Sequence, residues 1–166
     1  MRATVPALAF LALVACSRPS APASSSSAAD LASATAFVDS FLNSLAHPDY
    51  TGDAVRFDTA GFVWARSGAL IGVDSLNALL QARRAAGRAI VLGTNDVQLT
   101  PLGPDAVVWS GIVSGVAKDS AGVDQAIRGA LTLVLRRRGG AWVIAAGHES
   151  VRPFDDVHEA GAVPSR

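Results

Sequence analysis

Two glycines, Gly139-Gly140, stand between two long apolar runs, and no other feature of the 166-residue chain limits its fold so sharply. A two-residue loop of this kind closes a β-hairpin and fixes the register of the strands on either side. Arg138 then faces Ala141, Leu135 faces Ile144, Leu133 faces Ala146, Leu131 faces His148, and Gly129 faces Ser150. Directly opposed residues share a sheet face, and so do alternate residues along each strand. One face therefore carries Leu131, Leu133, Leu135, Trp142, Ile144 and Ala146, with His148 and Ser150 at its far end. The other carries Arg128, Ala130, Thr132, Val134, Ala145, Gly147 and Glu149. The first face is expected to pack or to line a cavity.

The hairpin is the end of a longer pattern. Strands are predicted over 88–100, 105–117, 126–138 and 141–151, separated by turn-rich segments, which is the spacing of an antiparallel meander. Upstream, Leu31, Ala34, Val38, Phe41 and Leu45 recur at helical steps, with Asp30 as the expected cap and His47-Pro48 as the stop. Residues 53–58 are read as a short second helix. Short strands are expected at 62–64 and 69–71 around a Ser67-Gly68 turn. A further helix should run from Asp74 or Ser75 to about Ala86, ahead of Gly87. Helices first and strands after predict an α+β layer, with two to three N-terminal helices on one sheet face.

The first residues read as an address. Arg2, an apolar run from Ala7 to Val14 and the small residues after it have the layout of an export signal. Leu13-Val14-Ala15-Cys16 resembles the lipobox of bacterial lipoproteins, which implies cleavage before Cys16 and acylation of its thiol. Residues 1–15 are then the signal peptide, and 16–29 a lipidated cysteine and a Ser/Ala/Pro tether. The folded domain is placed at 30–152 and a C-terminal tail at 153–166. An exported, membrane-anchored protein is expected. In a Gram-negative cell, Ser17 after the cysteine implies the outer membrane, facing the periplasm.

Composition narrows the chemistry. Lys plus Arg and Asp plus Glu are 14 each, so the formal charge is zero, unlike that of a dedicated nucleic-acid binder. The lone cysteine excludes a disulfide framework within the chain. His47, His148 and His158 are dispersed, so no metal site is expected, and no phosphate loop or other cofactor motif is present.

A long helix, a short strand pair, another helix and a four-strand meander form the order of the nuclear transport factor 2-like fold. Gly140-Ala141-Trp142-Val143-Ile144, followed by His148-Glu149-Ser150, resembles the last hairpin of its SnoaL-like and ketosteroid isomerase-like members. Gly72-Val73-Asp74-Ser75-Leu76 resembles their strand-to-helix junction. The resemblance implies a curved sheet wrapped on the helices as a cone, with His148 and Ser150 on the concave side. It also implies that ketosteroid isomerase chemistry is absent. That reaction uses an Asp just after the first short strand and a Tyr on the first helix. Here 62–66 holds no carboxylate, and the only tyrosine, Tyr50, follows the helix.

The candidate ligand-binding residues are Trp64, Leu131, His148 and Ser150. Arg66 and Arg128 are candidates to face a pocket carboxylate. Arg136-Arg137-Arg138 is read as a solvated hairpin tip. The leading functional expectation is a module that binds a small apolar molecule or a protein partner without catalysis. The alternative is a polyketide-cyclase or isomerase-type enzyme with His148 as acid–base. A homodimer through the sheet is a further expectation.

Overall fold

The computed structural model describes residues 27–47 and 56–154. The expected signal peptide, Cys16, most of the tether and residues 155–166 lie outside the described residues, as do 53–55. Helix α1 (Ala28–Ser44) begins earlier than expected because Ser27, not Asp30, is the cap. The Ser27 hydroxyl accepts from the Asp30 N–H at 3.1 Å, and the Asp30 carboxylate accepts from the Ser27 N–H at 3.1 Å. Asp30 is thus the third-position acid of a capping box. Ala34, Val38, Phe41 and Leu42 form the buried stripe.

Strands β1 (Val63–Arg66) and β2 (Ala69–Ile71) form the short pair, and helix α2 (Val73–Ala85) follows. The long strands are β3 (Ile90–Gly103), β4 (Ala106–Lys118), β5 (Asp124–Arg138) and β6 (Ala141–Glu149). A final short strand, β7 (Arg152–Pro153), pairs with β5, so the start of the expected tail is docked on the sheet. The sheet order is β2-β1-β6-β5-β4-β3. All pairings between these strands are antiparallel except β1 with β6, which makes the curved sheet mixed rather than wholly antiparallel. Residues 56–58 are not helical. Phe57 bridges Ile144 in parallel, and the Asp58 N–H donates to the Ile144 carbonyl at 2.9 Å.

Gly139 and Gly140 have φ of 56° and 85°, as a two-residue hairpin turn with matching twist requires. From Arg138–Ala141 to Leu135–Ile144 the pairing is the one expected. Beyond it, Val134 pairs with Ala146, Thr132 with His148, and Leu131 with Glu149. Ala145 is an extra residue on β6, a β-bulge, and it reverses the facing of everything after it. The bulge falls where β6 changes neighbours, from the 56–58 segment at Ile144 to β1 at Ala146–Glu149.

The core lies between the helices and the concave face of the sheet. Trp109, Leu133, Leu135, Ile144, Val38, Val107 and Val113 are fully buried there. Burying each such side chain stabilises the fold by about 1.5–3 kcal/mol. The three arginines at the hairpin end are not simply solvated. Arg136 and Arg138 both donate to the buried carboxylate of Asp58, the latter at 3.1 Å. Arg137 pairs with Asp30 and lies 4.4 Å above the Trp142 ring. The Arg136 hydrogen bond holds the Asp58 carboxyl well below the usual carboxylate range, against the opposing effect of burial. The run thus fastens the hairpin to α1 and to the 58–60 turn.

Candidate functional site

The concave face and the two helices enclose a cavity of about 270 Å³. Phe41 and Leu42 of α1, Leu45 at its C-cap, and Leu76 and Leu80 of α2 form one wall. Trp64, Leu92, Val113, Ile127 and Leu131 form the other. Strand alternation explains the sheet wall: Val113 and Leu131 are buried, while their neighbours along each strand turn outward. Charged groups gather at one end, with Arg66, Arg83, Lys118, Asp119, Glu149 and Arg152 among the lining residues.

The parallel pairing of β1 and β6 sets Trp64 beside Gly147 and Arg66 beside Glu149 on the cavity side. Gly147 is small for a reason. A Cβ there would lie 2.3 Å from two carbons of the Trp64 ring. Arg66 Nε meets Glu149 Oε1 at 2.8 Å, with both side chains partly exposed. Arg83, in the last turn of α2, lines the same end. Burial first, and then the like charges of Arg66 and Arg88, pull its guanidinium below its ordinary value, with Glu149 opposing. Its Nε–H is buried without a hydrogen-bond partner among the described residues, as is the Trp64 Nε1–H.

The expected site residues separate into two groups. Trp64 and Leu131 line the cavity. His148 does not, and this corrects its expected facing: the Ala145 bulge turns it to the outer face, where it is exposed beside Thr132 and Ala65. Ser150 is exposed as well, and its hydroxyl accepts from the Ala130 N–H of β5 at 3.3 Å. Glu149 and Gly147, expected on the outer face, stand on the cavity side instead. Arg66 faces a cavity carboxylate, whereas Arg128 stacks on Phe154 at 5.7 Å. Sequence reasoning misses Glu149 and Arg83. Helical spacing places Arg83 on the Leu76/Leu80 side of α2, but no residue between 141 and 149 signals the bulge that turns Glu149 inward. Among the described residues no three His, Cys, Asp or Glu side chains cluster as metal ligands would.

No family model and no curated protein matches the sequence. Solved structures do match. LinA superposes with a TM-score of 0.64 at 15% identity, covering 78% of this chain and 92% of that one. The association domain of C. elegans CaMKII gives 0.61 at 15% identity, covering 73% and 95%. An uncharacterized protein with a cystatin-like fold from Caulobacter vibrioides gives 0.60 at 14% identity, covering 74% and 89%. At such identities the likeness establishes the fold: the α+β, cone-shaped nuclear transport factor 2-like fold, with two described helices on a curved, unclosed sheet. That fold serves enzymes and association domains alike, so function has to be argued from the site.

Proposed function

We infer that this chain is a binding module that holds a small apolar molecule in its concave cavity without transforming it. The observation that carries this reading is the cavity itself. Its walls are aliphatic and aromatic, its polar groups converge at one end, and its volume sits near the lower end for small-molecule sites. The exposed position of His148 on the outer face takes the residue named for the enzyme alternative out of the cavity, which favours the binding reading. The test is a calorimetric titration of the folded domain with octanol. Saturable one-to-one uptake with a negative heat-capacity change is expected. Failure of octanol and of its ionised analogue octanoate to bind would reject the reading.

The module is proposed to be exported and held at a membrane by lipid on Cys16, a reading supported by the Leu13-Val14-Ala15-Cys16 sequence. Self-association is a second reading, favoured by the outer face of β4, β5 and β6. Val108, Ile112, Ala130, Val134 and Ala146 fall there on register, and none of the residues on that face between Arg128 and Arg136 of β5 is charged. The name of the CaMKII association domain is consistent with such use of this fold. Sedimentation of the domain as a dimer that Ile112→Lys converts to a monomer would support it, and a monomer at high concentration would refute it.

A further inference from the structure

We propose that the cavity ligand is a carboxylic acid with a short apolar body, its carboxylate held by Arg83. The inference rests on the reading of the cavity as a ligand site and adds the chemistry of the ligand's polar end. The charges at that end do not balance. Glu149 is engaged by Arg66 at 2.8 Å. Lys118 is paired with Asp124 at 2.6 Å, outside the lining. Asp119 accepts from the Ala121 and Val123 N–H groups at 2.8 and 2.9 Å, which closes the β4–β5 loop. Arg152 has an interaction of its own. Arg83 is left facing two like charges, Arg66 and Arg88, with Glu149 already committed.

A guanidinium carries five donors in a planar fork that matches a carboxylate. The Arg83 Nε–H is shielded from solvent and has no acceptor among the described residues. Buried donors without partners are rare, and each calls for an explanation. The position in the last turn of α2 gains from the helix dipole, but that gain supplies no acceptor for Nε–H. A ligand carboxylate supplies one. The lining carries Arg66, Arg83, Lys118 and Arg152 against Asp119 and Glu149, a positive excess that suits an anion. The apolar body then occupies the space between Leu76, Leu80, Trp64 and Leu131.

The experiment compares octanoate with octanol on the full chain at pH 7, in the wild type and in Arg83→Met and Arg83→Lys. The wild type should bind octanoate at least tenfold more tightly. R83M should lose that preference while still binding octanol, and R83K should keep part of it. Because the Arg83 Nε–H lacks a protein acceptor, R83M should leave Tm unchanged or raised. Equal affinity of the wild type for acid and alcohol would overturn the proposal and leave the apolar-site reading standing. Uptake of neither compound would end both. A clear loss of Tm in R83M would show that Arg83 is already paired without ligand, and would also overturn it.

Discussion

Replacing Gly147 by Ala tests the facing of β6 directly. With the bulge at Ala145, a Cβ at 147 would lie 2.3 Å from Trp64 Cε3 and Cζ3 and 3.0 Å from Cη2. Relaxed carbon contacts sit near about 3.5–4.0 Å, so the indole must retreat by more than about 1 Å. It has little freedom. Trp64 is buried and stacked on Phe62 at 6.4 Å, and Phe62 in turn packs edge-on against Phe57. The open direction is the cavity, which Trp64 lines. Overpacking of this kind costs about 1–3 kcal/mol. For a domain of this size that is a fall in Tm of roughly 3–15 °C. Calorimetric melting, with Trp fluorescence as a second probe, measures it, and octanol uptake should weaken in the same variant. Without the bulge, residue 147 would sit on the outer face and Ala would be neutral or slightly stabilising. A Tm change under about 1 °C with unchanged fluorescence would therefore refute the bulged register.

Three further outcomes are expected. Asp58→Asn should cost about 1–2 kcal/mol, because two charge-assisted hydrogen bonds weaken while their arginines keep some contact with water. Since the folded Asp58 carboxyl is depressed, its contribution is present above the unfolded carboxylate pKa of about 3.9 and lost as pH falls below it. Urea melts from pH 6 to pH 2 should show a smaller acid loss in D58N than in the wild type. Ser27→Ala should lower stability by about 1 kcal/mol through loss of the capping box, read as a shift in urea midpoint at unchanged m-value. In a bacterial host, Cys16→Ser should move the full chain from the membrane to the soluble fraction and abolish labelling by an alkynyl fatty acid. Unchanged fractionation would reject the lipid anchor.

Much of the fold is legible in the sequence because periodicity and turn chemistry are local. The leucine and valine alternation of β4 and β5, the Ser67-Gly68 and Gly139-Gly140 turns and the α1 stripe all carry their own signals. The parallel meeting of β1 and β6 is not legible, since it joins segments about 80 residues apart that no turn connects. The bulge falls at that meeting. Small residues are common in strands, and Ala145-Ala146 reads no differently from an unbroken pair. One inserted residue is enough to exchange His148 for Glu149 on the cavity side. The hairpin arginines escape a sequence reading for a related reason: Asp58 and Asp30, their partners, are distant in the chain.

The central claim is that the concave cavity, not the outer face bearing His148, holds the ligand. Octanol binding to Leu80→Trp and to His148→Ala, each first shown to melt cooperatively, tests it most directly. Leu80 lines the cavity at partial exposure, so a larger ring can fill the space without displacing the deepest core. L80W should lose uptake by tenfold or more, while H148A should bind as the wild type does and melt within about 0.5 kcal/mol of it. Loss of binding in H148A with full binding in L80W would contradict the account.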